Sequence, residues 1–121
     1  MILVDISNDP QYGFKRKVEA ASIIIGMMEY VPKVVTLTTN VHYYEDTPEA
    51  NEITIIPQKV VSMIADNSKC VDAKGNIVPC DSPDAVMTEY EYYMAMLEQP
   101  VVIKDLVVSR ILWADSQGLF N

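Results

Sequence analysis

The chain has 121 residues, 50 % of them apolar, and a formal net charge of −8 from 17 acidic and 9 basic side chains. That length suits one domain with a small core, and the apolar fraction excludes wholesale disorder. The acidic balance argues against nucleic-acid recognition, which depends on a basic surface, and the short cluster Lys15-Arg16-Lys17 reads as a solvated turn.

Met1 to Ile6 reads as a short buried strand or an arm, ended by Ser7-Asn8-Asp9-Pro10, and residues 1–13 are a candidate N-terminal arm. The first residues lack a basic region and reach Asp5 too soon for a signal peptide. No stretch approaches the roughly 20 apolar residues of a membrane span, so a soluble protein of cytoplasmic origin is expected. From Phe14 to Tyr30 the residues Phe14, Val18, Ala21, Ile25 and Met28 recur at helical spacing. The run Ile23-Ile24-Ile25 and Gly26 keep a strand over Ser22 to Met28 as the alternative, and Pro32 should end either element.

Lys33 to Tyr43 alternates strictly. Val35, Leu37, Thr39, Val41 and Tyr43 share one parity, which predicts a half-buried strand. An acidic loop, Glu45 to Glu52, separates it from a second strand at Ile53 to Ile56. Pro57 marks an edge or bulge there, and Val60 to Ala65 resumes the strand. Asp72-Ala73-Lys74-Gly75 is a type I turn followed by a left-handed glycine, which pairs Asp72 with Asn76, Val71 with Ile77 and Cys70 with Val78. In that register Cys80 faces Ser68, one diagonal step of about 7 Å from Cys70, so free thiols are expected.

Asp81-Ser82-Pro83-Asp84 carries the signals of a helix start. On a helix from Pro83 to Glu98, Val86, Tyr90, Tyr93 and Leu97 form the core stripe. Ala85, Tyr92 and Met96 form a second flank that widens the apolar arc well beyond that of an ordinary surface helix. Pro100 opens a further element, with Gly118 as its stop. Ile103, Leu106, Val107, Ile111, Trp113 and Ala114 favour a helix there, while Val101-Val102-Ile103 would also suit a strand. Arg110, inside that apolar arc, must snorkel or pair with a carboxylate. The fold expected is a single α+β domain over residues 1–121: a small, mostly antiparallel sheet in the β-rich part, 33–80, packed by two C-terminal helices in 82–118.

Chemistry is hard to find in this sequence. His42 is the sole histidine and reads as a solvated strand-end residue rather than a base or ligand. Cys70, Cys80 and His42 lack zinc-site spacing. Glu89 and Glu91 point to different sides of a helix, and Asp81 and Asp84 belong to its start. The Asp66 and Asp72 turns lack the alternating ligands of a calcium loop. Phosphate loops, nucleophile elbows and dinucleotide fingerprints are absent from the sequence. The expectation is therefore a protein that is not an enzyme, with no cofactor, no metal and no catalytic residues. The excess of Tyr and Met, seven of each, favours protein contacts instead. Ala85, Tyr92, Met96 and Trp113 are the candidate interface residues, with no membrane and no direct nucleic-acid recognition.

Two segments resemble the small structural subunits of tailed bacteriophage virions. One is the hairpin Val71-Asp72-Ala73-Lys74-Gly75-Asn76-Ile77-Val78, the other the ending Ala114-Asp115-Ser116-Gln117-Gly118-Leu119-Phe120-Asn121. The resemblance implies a ring, connector or tail component, a homo-oligomer or a partner of other virion subunits, assembled in a host cytoplasm and lacking an active site. The alternative is an acidic adaptor or inhibitor that binds a basic protein partner through Glu45, Asp46, Glu49 and Glu52.

Overall fold

The computed structural model describes residues 2–98 and 103–121. Four strands, β1 (Leu3–Ile6), β2 (Lys15–Met28), β3 (Val31–Tyr44) and β4 (Glu52–Ile64), form an antiparallel sheet in sequence order. A smaller sheet holds β5 (Cys70–Val71) between β6 (Ile77–Val78) and β7 (Met87–Thr88). The helices α1 (Glu89–Glu98) and α2 (Ile103–Ser116) follow. The fold is α+β, as expected, but the main sheet starts at Leu3 rather than Lys33.

The largest difference is β2, where helical spacing suggested a helix from Phe14 to Tyr30. Its inward residues are Arg16, Val18 and Ala20, then Ile23 and Ile25, because a register shift between Ala20 and Ser22 makes Ala21 a bulge. The bulge moves the buried side from even to odd positions, which hides the period of two and imitates a helical period. The strand ends at a two-residue turn, Glu29-Tyr30, with both residues at positive φ (52° and 66°). Pro32 lies buried inside β3 rather than ending an element.

β3 follows its alternation: Val35, Leu37, Thr39 and Val41 are buried, facing Ile25, Ile23, Ala20 and Val18 of β2. In β4 the expected bulge sits at Pro57-Gln58. Thr39 faces Lys59 while Val41 faces Ile56, Gln58 has φ 52°, and its N–H donates to Asn40 Oδ1 at 3.1 Å.

The hairpin register is the one expected, with Cys70 opposite Val78 and Val71 opposite Ile77. The thiols are not free. Cys70 and Cys80 form a disulfide with Cα atoms 5.1 Å apart. Strand pairing ends at Val78, and the turn Pro79–Ser82 brings Cys80 nearer than a continued ladder would.

The helix expected from Pro83 begins at Glu89 instead. Ser82 Oγ accepts only a local bond from Asp84 N–H, and Val86 N–H donates to Val71 O, which draws this segment into the small sheet. Thr88 is the N-cap: its hydroxyl accepts from Glu91 N–H at 3.3 Å and Glu91 Oε1 accepts from Thr88 N–H at 3.3 Å, a reciprocal capping box. The inward face of α1 is accordingly Glu89, Tyr92 and Tyr93, while Val86 and Leu97, expected in the core, are exposed. The start of the last element at Pro100 and its strand alternative over residues 101–102 lie outside the described residues. From Ile103 the element is helical. It closes as anticipated on Gly118 (φ 72°), where Leu119 N–H donates to Ala114 O and Gly118 N–H to Asp115 O, a Schellman cap.

Candidate interaction surface

Two buried arginines fasten the elements on which the surface rests. Arg16 Nε donates to Ser7 O at 2.9 Å, Nη1 to Phe120 O at 3.3 Å, and Nη2 to Asn8 O and Asn121 Oδ1 at 3.3 and 3.2 Å. Asp115 stands 3.8 Å from the same guanidinium and accepts Ser7 N–H and Oγ–H at 2.9 and 2.7 Å. The basic cluster is thus no solvated turn: it lies in β2, and Arg16 is enclosed.

Arg110 is buried as well and neither snorkels nor meets a carboxylate directly. Its Nε donates to Tyr93 Oη and its Nη1 to Gly75 O, and its guanidinium lies 5.6 and 5.0 Å from the ring centres of Tyr92 and Tyr93. Tyr93 passes the contact on, donating to Glu89 Oε1 at 2.9 Å, and Glu89 Oε2 accepts from Asp66 N–H at 3.2 Å. Desolvation holds the Tyr93 hydroxyl far above its ordinary pKa, assisted by Glu89 and opposed by Arg110. One polar chain therefore links the hairpin, both helices and the end of β4.

Of the four candidate interface residues, Tyr92 is only 4 % exposed and packs in the core. Met96 and Trp113 are half-buried against that core, with Lys69 Nζ 5.2 Å from the Trp113 ring, and Ala85 is half-buried in the turn before β7. Of the helical surplus, Tyr92 is used inside the domain, whereas Leu97 and Leu112 stay exposed.

The most exposed apolar side chains with a common face lie on the sheet. The register puts Ile24 of β2, Val34 of β3, and Val60 and Ile64 of β4 on the face away from the helices, among Ser22, Thr36, Thr38 and Ser62. Ile24 is 61 % and Ile64 76 % exposed. The hairpin tip adds Met27, Met28 and a 93 % exposed Tyr30. β1 pairs only with Arg16–Glu19, so among the described residues no strand pairs the edge of β2 from Ala20 to Met28. Beside that edge lies a cavity of about 500 Å³, lined by Ile2, the Ala20–Ile23 stretch, Lys104 and Val107.

His42 is on the outer face near the other end of β3. Its Nδ1 stands 3.3 Å from Glu52 Oε2 and its ring stacks on Tyr44 at 6.4 Å, so it is more enclosed than a solvated strand end. In the acidic loop Asp46 pairs with Lys15 at 3.8 Å and Glu45 accepts from Asn51 at 3.3 Å. Among the described residues no group of three or more metal-ligating side chains converges, and no helix is long and apolar enough to cross a membrane.

Compared with known proteins, the chain matches no family model, no curated protein and no solved structure.

Proposed function

We propose that the protein is a non-enzymatic structural subunit of a multimeric assembly, and more specifically a virion component of the ring, connector or tail type. The observation that carries this reading is the sheet: a strongly acidic chain that leaves Ile24, Val34, Val60 and Ile64 exposed on one face, interleaved with Ser and Thr, beside a strand edge that no described strand pairs. Exposed apolar side chains gathered on one face are a mark of protein contacts. The Cys70–Cys80 disulfide suits a particle that spends its working life outside a reducing cytoplasm, even where assembly begins inside one.

Light scattering and native mass spectrometry test the assembly. The expected result is a species heavier than the 13.6 kDa chain, whose association survives high salt because apolar contact is not screened. A stable monomer at high concentration that recruits no virion subunit overturns it. The acidic-adaptor reading predicts the opposite salt response, and the engagement of Asp46, Glu45 and Glu52 within the chain gives it less support. Peptide mass spectrometry of purified virions from the source tests the virion assignment.

A further inference from the structure

The two open strand edges of the main sheet are not equivalent. β4 carries three features that blunt an edge, Lys59, Pro57 and the bulge at Gln58, whereas β2 shares only the last kind, in its register shifts at Ala21 and between Gly26 and Met27. The free part of β2, Ala20-Ala21-Ser22-Ile23-Ile24-Ile25-Gly26-Met27-Met28, holds no charge and no proline. In a chain of net charge −8, nine consecutive uncharged residues on an edge that no described strand pairs are a template for another strand. We infer that the open edge of β2 is a dimer contact, in which two copies of this chain pair β2 with β2 antiparallel about a two-fold axis near Ile24. The inference rests on the assembly reading above and names its surface.

The geometry of the rest of the molecule agrees. An antiparallel pair with its two-fold normal to the sheet gives one continuous sheet with all helices on the same side. Isoleucines then face isoleucines across the junction, a favourable cross-strand pairing. Antiparallel pairing also carries the hairpin tip of each copy to the start of the free edge in the other. There Met27 and Met28 meet the apolar cavity at Ile2, Ala20–Ile23 and Val107, and the tip acid Glu29 approaches Lys104 at its rim. Lys104 makes no ion pair with any other described residue.

Sedimentation equilibrium on the full chain and four variants tests the contact. The wild type is expected at twice the chain mass. Ile24→Lys, which sets two ammonium groups beside the two-fold at a site already exposed, should raise the dimer dissociation constant at least tenfold. Ile53→Lys, exposed on β4 and outside the apolar face, should leave it unchanged. Lys104→Glu should weaken association about two- to fivefold, and Glu29→Lys in the same chain should restore it. Circular dichroism confirms that each variant is folded. A wild-type monomer overturns both this inference and self-assembly. An oligomer indifferent to Ile24→Lys overturns this edge alone and leaves the assembly reading standing.

Discussion

Gly75 and Tyr92 are packed so closely that a Cβ on the glycine would occupy the phenol ring. Gly75 also has φ 86°, a left-handed conformation that glycine adopts without penalty, and its carbonyl receives Arg110. Backbone strain and overlap therefore act at one position. Gly75→Ala is expected to cost at least about 3 kcal/mol. Denaturant unfolding measures it, and a loss under about 1 kcal/mol would show that the hairpin and α1 separate easily.

Tyr93 stands between a buried cation and a buried anion. Tyr93→Phe removes the hydroxyl from both Arg110 and Glu89 and should cost about 2 kcal/mol. Combined with Arg110→Met the loss should fall short of the sum, because the two variants break a shared contact. The alkaline limb has a definite sign. A hydroxyl whose pKa is raised by burial contributes stability that is intact below about pH 10, the value in the unfolded chain, and is lost as pH rises beyond it. Thermal melts above that pH should fall less steeply for Tyr93→Phe than for the wild type.

The hairpin turn gives the acid limb. Burial works against ionisation of Asp72, but its carboxylate accepts from the amides of Asn76 and Lys74, both at 2.9 Å, and from the Asn76 side chain at 3.1 Å. The balance holds its pKa below the ordinary aspartate value. A depressed carboxyl contributes stability above the unfolded value of about 3.9 and loses it as pH falls through the folded one. Melts of Asp72→Asn should accordingly fall less between about pH 5 and about pH 2 than those of the wild type.

Thr88 and Ser82 offer a direct comparison of two helix starts. Thr88→Ala should cost about 1 kcal/mol through the lost cap. Ser82→Ala, which removes only a local turn bond, should cost less than about 0.5 kcal/mol. The reverse order in urea unfolding would restore the helix to Ser82.

Reduction of the disulfide should destabilise the domain by about 2–3 kcal/mol, the loop-closure expectation for half-cystines 10 residues apart. Melting with and without reductant measures it, and Cys70→Ser should reproduce the reduced value.

The strands whose side chains alternate without interruption were legible. β3 needed only its parity, and the β5–β6 turn followed from Asp72 and Gly75. β2 was not, because the bulge at Ala21 erases its period, and the helical reading fitted the same residues. The N-cap was misplaced for a different reason. Ser82-Pro83-Asp84 has the composition of a helix start, but the bonds that draw Val86 to Val71 and Glu89 to Lys69 connect distant parts of the chain. Thr88-x-x-Glu91 was the sequence signal that could have found the true start. The disulfide was missed because local register cannot show where the chain turns after Val78. The candidate contact surface was half legible: the excess apolar surface was read onto the helices, whereas the charge-free run from Ala20 to Met28 was visible in the sequence all along.

The Arg16 clamp has a consequence for how the chain is made. Its guanidinium sits in the second strand, yet two of its acceptors belong to Phe120 and Asn121, more than a hundred residues later. A nascent chain can pair β1, β2 and β3 as they leave the ribosome, with Arg16 already bonded to Ser7 and Asn8, but its Nη1 lacks its Phe120 acceptor until the tail arrives. The nascent domain therefore stays unfinished until the last turn of α2 and the tail beyond it have cleared the exit tunnel. Chains released early, short of Phe120, should be recognised by proteases as incomplete.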